Sequence, residues 1–305
     1  MKNRKTYNII LWGIGAIYNS YINTIKYLEF KQEINIIGVT ARGYSFIDDI
    51  DGYPNIKKTE IIKIDFDYII IMSKKGEVEI ISEALELGIT RDKILPYKIL
   101  DLPCFDFSEY IKLKNSRVSI ISDNCWGGVA YSTLGLECLS PFKNLFIKER
   151  EYLRLLRNIR YYLSCPLELS RFAIDINSKN QYPVMHLEDV EVHCCHETDP
   201  EKAKEKWDRR LKKINWDNLF IAMYTEDKTM IEEFLLINYE KKVCFIPFEN
   251  QSENLILLRQ ADNQRQFWEC VNSNGSIGNG SYAYYLVKLL LNERPFTRFH
   301  LKDKL

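Results

Sequence analysis

Two apolar runs, separated by a glycine turn and a helix-like segment, open the chain, and this order most constrains the fold. Tyr7 to Trp12 has the composition of a buried strand, Gly13 to Gly15 follows it, and Ala16 to Glu29 is typical of a helix. A second apolar run, Ile34 to Val39, completes the unit. Strand, glycine turn, helix and strand in this order begin a doubly wound parallel sheet with a right-handed crossover. We therefore predict an α/β fold that starts with a Rossmann-like parallel-sheet domain, residues 1–116.

Beyond the polar segment Lys112 to Ser116, the alternation of strands and helices begins again. We predict a second, larger α/β domain over residues 117–305, with a mainly parallel sheet covered on both faces. Its predicted strands are Arg117–Ser122, Val190–Cys195, Leu219–Tyr224 and Lys242–Ile246, and its predicted helices are Val129–Leu139, Lys148–Leu163, Pro200–Lys213, Met230–Leu236 and Ser281–Leu291.

The length and charge of the chain exclude several classes of protein. A chain of 305 residues favours two domains. Its 42 basic and 42 acidic residues cancel, so we expect no attraction to nucleic acid or to an anionic membrane. No apolar run approaches the roughly 20 residues of a membrane-spanning helix. Eight cysteines without framework spacing fit a reducing compartment. We expect a cytoplasmic protein without membrane insertion, and its oligomeric state stays open.

The strongest candidate for chemistry is the segment Asp123-Asn124-Cys125-Trp126-Gly127-Gly128, where a predicted strand gives way to a helix. A thiol at this point faces the N-terminal dipole of the helix, which favours the thiolate and makes Cys125 the leading nucleophile. The backbone N–H groups of Trp126, Gly127 and Gly128 would be free and could hold a substrate oxyanion. The alternative is that Cys125 is a small apolar residue in a tight turn that the glycines serve.

A cysteine nucleophile needs a base, and the chain has only four histidines. His193 and His196 lie at the end of a predicted strand, on the edge where open α/β sheets gather their sites. Because residues three apart on a strand point apart, at most one of the two should reach Cys125. We choose His196 as general base and keep His193 in reserve. Asp227, just past another predicted strand, could orient the imidazole or could simply be a turn residue.

Neighbouring residues suggest two further kinds of site. The two histidines and two cysteines from His193 to His196 could be zinc ligands, but a flat strand places them on opposite faces, and we predict no metal. Arg209 and Arg210 lie on the following predicted helix. One of them could hold a carboxylate, phosphate or pyrophosphate group, and the sequence does not show which one faces inward.

The first domain carries part of a dinucleotide-binding signature. Gly13 and Gly15 stand at the expected turn, but the third glycine, which permits close helix packing, is missing. Where an Asp or Glu would bind a ribose hydroxyl the chain has none, and Arg42 nearby could contact a phosphate or be a solvated turn residue. These departures argue against NAD. A nucleotide, a nucleotide-sugar or acyl-CoA, or no ligand, stays open.

The chain resembles an uncharacterised bacterial family usually labelled exopolysaccharide biosynthesis protein. The resemblance runs in order from about Val118 to Phe245, and the N-terminal half separately resembles Rossmann-like modules of sugar-modifying and sugar-transfer proteins. The elements at Cys125 and at Ser140-Pro141-Phe142 are also similar to those of a papain-like cysteine peptidase group, which supports Cys125 and His196. The matching pieces are Ser122–Gly128, Leu134–Leu136, Ser140–Phe142, Tyr182-Pro183, His193–His196, Trp207, Arg209-Arg210, Ile214-Asn215, Asn218–Ile221, Lys242-Val243 and Phe245.

Two hypotheses of different classes follow. The first is an acyl- or glycosyl-type transferase, or a related hydrolase, in which Cys125 attacks a sugar intermediate of exopolysaccharide biosynthesis and His196 accepts its proton. The second is a binding or scaffold protein of the same pathway whose Rossmann-like half binds a nucleotide-sugar without chemistry. In the first case Cys125 should be essential, and in the second Gly13, Gly15 and Arg42 should matter instead.

Overall fold

Two parallel β-sheets, one in each half of the chain, form the framework of the computed structural model. The structure describes residues 5–41, 48–175, 178–249, 252–258, 275–278 and 281–294. The chain divides into two units, Met1–Lys112 and Leu113–Leu305. Each unit combines a parallel sheet with helices, as the α/β prediction requires.

The first unit is built on a four-stranded sheet in which every pair of strands is parallel. The strand order is β2 (Ile34–Thr40), β1 (Tyr7–Trp12), β5 (Tyr68–Ile71) and β6 (Ile94–Pro96). This confirms the predicted N-terminal parallel sheet. The strands β1, β5 and β6 are almost wholly buried, which explains their unbroken apolar sequences. The elements are β1 (Tyr7–Trp12), α1 (Ala16–Phe30), β2 (Ile34–Thr40), β3 (Asp49–Ile50), β4 (Tyr53–Pro54), β5 (Tyr68–Ile71), α2 (Glu77–Glu86), β6 (Ile94–Pro96) and α3 (Phe107–Ser116), with 3₁₀ turns at Lys58–Lys63, Arg91–Lys93 and Tyr97–Asp101.

The second unit contains a parallel sheet of its own, in the order β13 (Leu255–Leu257), β12 (Lys242–Ile246), β11 (Leu219–Tyr224) and β7 (Ser119–Ser122). The side chain of Tyr152 is buried against this sheet. Its hydroxyl oxygen lies 2.9 Å from the carbonyl oxygens of Ile121 and Ala222, which belong to two neighbouring strands. The elements are β7 (Ser119–Ser122), α4 (Trp126–Leu134), α5 (Glu149–Arg157), α6 (Ile159–Tyr162), β8 (Glu168–Ile174), β9 (Gln181–Leu187), β10 (Val190–His193), α7 (Pro200–Leu211), β11 (Leu219–Tyr224), α8 (Lys228–Leu236), β12 (Lys242–Ile246), β13 (Leu255–Leu257), β14 (Ser276–Gly278), β15 (Ser281–Tyr282) and α9 (Leu286–Leu291).

An antiparallel sheet in the order β10-β9-β8 stands beside the parallel one and was not predicted. The strand β10 was expected in the parallel sheet, but it forms a hairpin with β9. Side chains of the parallel sheet, of α5, α7 and α8, and of β9 and β10 share one apolar core. The second unit is therefore a parallel sheet with an added antiparallel layer, and not a single parallel sheet.

Helix boundaries differ from the predicted ones where the backbone changes direction. Helix α4 ends at Leu134 because Gly135 takes a left-handed conformation, with φ of 62°. The predicted helix from Lys148 to Leu163 divides at Asn158 into α5 and α6. The last helix begins only at Leu286, since Ser281–Tyr282 forms strand β15. Within the described parts of the chain, no helix combines the length and apolar character needed to cross a membrane.

A short segment after α4, residues 145–147, joins the two sheets of the second unit. The N–H of Ile147 donates to the carbonyl of Asp123, just beyond β7, at 2.8 Å. The neighbouring Phe146 exchanges two backbone hydrogen bonds with His193 of β10, at 3.0 and 2.8 Å. These bonds fix the end of β10 next to the end of β7.

Helix α4 packs so closely that a side chain at two of its glycine positions would press on neighbouring residues. A Cβ on Gly127 would lie 3.0 Å from the side chain of Ile120 and 3.2 Å from that of Ser122, both on β7. A Cβ on Gly128 would lie 2.3 Å from Oδ1 of Asn144 and 3.2 Å from its backbone nitrogen. The paired glycines thus let the helix approach both β7 and the segment that follows it.

We predict that Gly128→Ala lowers the free energy of unfolding by about 1–3 kcal/mol, because the added methyl group overlaps the side chains of Lys143 and Asn144 and presses on the Asn144 backbone nitrogen. Chemical denaturation of the full chain, followed by circular dichroism, measures this change. Ser132→Ala, at an exposed position of the same helix, is the control and should leave stability nearly unchanged. Equal stability of Gly128→Ala and the unmodified chain would contradict the packing argument.

We predict that Glu191→Gln lowers stability at neutral pH but not in acid. Hydrogen bonds from Arg171 and Lys148 lower the pKa of Glu191 to about 2. A carboxyl whose pKa is lower in the folded state stabilises that state above its unfolded pKa, and this contribution disappears as pH falls toward 2. Since the group is partly exposed, we expect a loss of about 1 kcal/mol at pH 7.

Chemical denaturation at a series of pH values between 7 and 3 tests this prediction. The difference between Glu191→Gln and the unmodified chain should shrink through the acidic range. Glu205→Gln, at an exposed position on α7, should show no such pH-dependent difference. A loss of stability from Glu191→Gln that stays constant with pH would indicate packing and not charge.

Candidate functional site

Cys125 and His196 meet at the carboxyl end of β7. The Sγ atom of Cys125 lies 3.2 Å from Nε2 of His196, although the two residues are 71 positions apart in the chain. The same sulfur lies 4.0 Å from the carbonyl oxygen of Leu145. Cys125 is half-buried and His196 is exposed, so the pair is open to solvent on the imidazole side. This is the distance at which an imidazole can accept a proton from a thiol.

The route by which His196 reaches the thiol differs from the predicted one. We expected both residues on one edge of a parallel sheet, but His196 follows β10 of the antiparallel sheet. The paired backbones of Phe146 and His193 hold the end of β10 against the segment that carries Leu145. The imidazole is thus placed beside Cys125 by a contact between two sheets.

His193 points into a different environment. Its Nδ1 atom lies 3.2 Å from the hydroxyl oxygen of Tyr182, and its Nε2 atom lies 3.5 Å from the carboxylate of Glu191. Burial lowers the pKa of His193 in spite of this carboxylate, so the ring is neutral near pH 7. Within the described residues, no contact joins His193 to Cys125. Of the two neighbouring histidines, only His196 is placed to act on the thiol.

The thiol is less acidic than the sequence led us to expect. Burial, together with smaller effects of the negative charges that Cys195 and Asp123 can carry, raises the pKa of Cys125 to about 11. The expected thiolate at the start of a helix is therefore not the resting form. Cys125 is protonated at neutral pH, and the imidazole faces a neutral thiol.

The start of α4 is also less open than predicted. Oδ1 of Asn124 accepts the N–H of Trp126 at 2.9 Å, so this amide cannot hold an oxyanion. The Trp126 side chain points into the core, where Nε1 donates to the hydroxyl of Tyr284 at 2.9 Å. The N–H groups of Gly127 and Gly128 have no acceptor in the part of the chain that the structure describes. These two amides are the remaining oxyanion candidates.

Asp227 is not brought to the imidazole. Its Oδ1 accepts the N–H of Thr229 at 2.8 Å and caps helix α8, and this hydrogen bond lowers the pKa of its carboxyl. We find no contact between Asp227 and His196 in the described structure. The alternative prediction, that Asp227 serves the local turn, fits these contacts better than a role in orienting the imidazole of His196.

The two arginines are not brought to the thiol either. Arg209 and Arg210 occupy the last turn of α7, whose first turn follows His196. At 1.5 Å per residue, the helix carries them roughly 15 Å from its start. Trp207 and Ala203 mark the buried face of the helix, while Arg209 is exposed and Arg210 is half-buried. No contact between either guanidinium and Cys125 is seen among described residues.

Asp123, which the sequence marked as a residue that could fix the thiol by hydrogen bonding in the loop, is buried, and a half-buried carboxyl group near it, Glu149, was missed from the sequence. Burial raises the pKa of Asp123 well above its ordinary value, and the nearby charge of Glu149 raises it further. Burial raises the pKa of Glu149 also, although its Oε2 accepts the Thr225 hydroxyl at 2.8 Å. Only the folded structure joins these acids, since Glu149 reaches the site from helix α5.

The remaining candidates lie in the first unit or outside the described residues. Gly13 and Gly15 connect β1 to α1, and both line a cavity there. Gly13 has φ of 110°, a conformation that favours glycine, and the carbonyl oxygen of Met72 leaves it little space. Arg42 lies outside the described residues. Among those that are described, no group of three or more His, Cys, Asp or Glu side chains is placed to hold a metal ion.

Known proteins resemble both halves of the chain. Residues 5–95 match a family described as C2185-like, N-terminal. A protein of Haemophilus influenzae that bears the name "Uncharacterized protein" is 34% identical over 140 residues. This match covers 46% of the present chain and 62% of the relative, less than two thirds of its length. Residues 97–290, which include Cys125 and His196, match the family described as Domain of unknown function (DUF1919). Since this match spans more than half of the sequence, the chain belongs to the DUF1919 family.

Proposed function

We propose that the chain is a cysteine-dependent transferase, of acyl or glycosyl type, or a related hydrolase. The observation that carries the proposal is the 3.2 Å separation between Cys125 Sγ and His196 Nε2 at an exposed sheet edge. We further propose a sugar intermediate of exopolysaccharide biosynthesis as its substrate. This part rests on the sequence resemblance described above.

The surroundings of the thiol favour general-base catalysis over a preformed ion pair. A thiol with a pKa near 11 stays neutral at rest, so its proton moves to His196 as the sulfur attacks. For an acyl donor, Sγ forms a bond to the carbonyl carbon and the imidazole becomes an imidazolium. The N–H groups of Gly127 and Gly128 are the candidates to stabilise the oxyanion.

The same residues can complete the reaction. The tetrahedral intermediate collapses to a thioester on Cys125, and the leaving group departs with the proton of the imidazolium. A sugar hydroxyl in a transferase, or water in a hydrolase, then attacks the thioester and gives its proton to His196. Collapse of the second intermediate releases the acyl product and returns the proton to the thiol. The cycle restores both residues and needs no oxidant or reductant.

We predict that alkylation of Cys125 by iodoacetamide accelerates about tenfold per pH unit from pH 7 and levels off near pH 11. The thiolate is the reactive form, and its fraction rises tenfold per unit below the pKa. Mass spectrometry of the peptide that contains Cys125 follows this residue apart from the other cysteines. A rate that is already level below pH 8 would instead indicate a thiolate and imidazolium pair.

We predict that Cys125→Ser and His196→Gln each reduce acyl-enzyme formation by about 100-fold or more, because one removes the nucleophile and the other the base. The probe is p-nitrophenyl acetate, which should acetylate Cys125 and release p-nitrophenolate. His186→Gln is the matched control, because His186 lies on β9 and has no contact with Cys125 among the described residues.

The same substitutions in the producing bacterium test the pathway. Cys125→Ser should abolish the contribution of the protein to exported polysaccharide, while His186→Gln should preserve it. Unchanged acetylation and unchanged polysaccharide in Cys125→Ser would overturn the enzymatic proposal and favour a binding or scaffold protein.

A further inference from the structure

A cavity of about 610 Å³ opens at the carboxyl end of the sheet in the first unit. It is bounded by the residues that follow β1, β2 and β5, at the point where β1 lies between β2 and β5. The chain leaves β1 toward β2 on one side and later returns on the other side as β5. Open α/β sheets bind ligands in the crevice outside such a switch point. The volume is typical of a small-molecule site.

On the β1 side of this cavity, the wall has no side chain at Gly13 and Gly15. Gly15 lines the cavity and has an ordinary φ of −85°, and a Cβ at this position would meet no atom within 4 Å. Packing within the protein therefore does not require glycine here. Helix α1 begins at the next residue, with no side-chain cap and no acidic residue in its first turn. Its first N–H groups can approach a bound anion closely.

Two cations stand on the β5 side of the same cavity. Lys74 and Lys75 follow β5, are exposed, and make no ion pair with another described residue. Other lysines of this unit, such as Lys58 and Lys63, are paired with glutamates. Glu79 lines the α2 side of the cavity. An anion is therefore best placed between Lys74-Lys75 and the start of α1.

The rest of the wall is apolar. Ile14, Ile17 and Ile80 are half-buried and line the cavity together with Met72. Inorganic phosphate would leave this surface uncovered, whereas a nucleoside could pack against it. The cavity thus combines an anion-binding end with an apolar end.

We propose that this cavity binds a nucleoside diphosphate. The diphosphate lies over the bare backbone at Gly15 and the first turn of α1, facing Lys74 and Lys75, and the nucleoside packs on the isoleucine wall. This site is separate from the cysteine chemistry proposed above and does not depend on it. It assigns a role to two lysines that the sequence analysis did not select.

Titration calorimetry and thermal unfolding of the full chain with UDP, ADP, inorganic pyrophosphate and uridine test the proposal. We expect UDP or ADP to bind and to raise the melting temperature, because a ligand of the native state stabilises it. The comparison of UDP with ADP identifies the base that the apolar wall prefers. Pyrophosphate and uridine, which each lack one half of the ligand, should bind about tenfold or more weakly.

Two variants separate ligand binding from folding. Lys74→Ala combined with Lys75→Ala should weaken binding about tenfold or more by removing both charges. Gly15→Ala should weaken it similarly by filling the space that the ligand needs, while leaving the melting temperature of the free chain unchanged. Lys26→Ala, at an exposed position further along α1, is the control and should bind normally. Cys125→Ser should also bind normally.

Three results would overturn the proposal. One is the absence of binding by both nucleotides at millimolar concentration. Another is pyrophosphate binding as tight as that of UDP and ADP, which would indicate a simple anion site. The third is unchanged nucleotide affinity in both the double lysine variant and Gly15→Ala. None of these results would affect the acylation of Cys125, so the two proposals can fail separately.

Discussion

Three backbone hydrogen bonds of the segment 145–147 place the chemistry of the second unit. Ile147 pairs with the residue after β7, and Phe146 pairs twice with His193 at the end of β10. Strands β7 and β10 belong to separate sheets that share an apolar core, and these bonds hold the ends of the two strands side by side. Since Cys125 follows β7 and His196 follows β10, the short bridge sets the distance between the sulfur and the imidazole.

The acidity of Cys125 illustrates a competition between two electrostatic effects. A helix start favours a negative charge by about 0.3–1 kcal/mol. Burial acts against it, since a rise in pKa from 9 to about 11 corresponds to about 3 kcal/mol against ionisation. In addition, Oδ1 of Asn124 accepts the N–H of Trp126, so this amide at the helix start does not stabilise a thiolate. Desolvation therefore dominates, and the nearby imidazole, and not the helix dipole, is the group that can assist the loss of the proton.

The elements that the sequence predicted best are those whose whole surface is buried. Strands β11 and β12 have the predicted bounds, because parallel strands covered on both faces are unbroken apolar runs. Strand β8 escaped prediction because nearly all of its side chains are exposed, so Glu168 to Ile174 shows no clear alternation. The pairing of β9 with both β8 and β10, which places β10 in an antiparallel sheet, could not be inferred from local patterns.

The candidate site follows the same division. The position of Cys125 after a strand and before a helix depends only on neighbouring residues, so the sequence predicted it. The alternation rule does not explain why only His196 meets the thiol, because β10 ends at His193 and His196 lies beyond the strand. The roles predicted for Asp227, Arg209 and Arg210 required these residues to lie close to Cys125 at one edge of a sheet. Which residues meet at an edge is decided by the pairing of strands that are distant in the sequence. The position of Asn124 just before a helix indicates that its side chain can accept a helix-start N–H. The prediction of an oxyanion hole did not take into account that this N–H is the one of Trp126.

A neutral thiol has a consequence for how the site would work. Because Cys125 is protonated at rest, burying it beneath a substrate does not incur the desolvation cost of a preformed thiolate. Charge appears only when the sulfur bonds to an electrophilic carbon and the imidazole takes its proton. In a water-excluded site the amides of Gly127 and Gly128 would act most strongly at that moment. The exposed side of His196 leaves space for the substrate that would close the site.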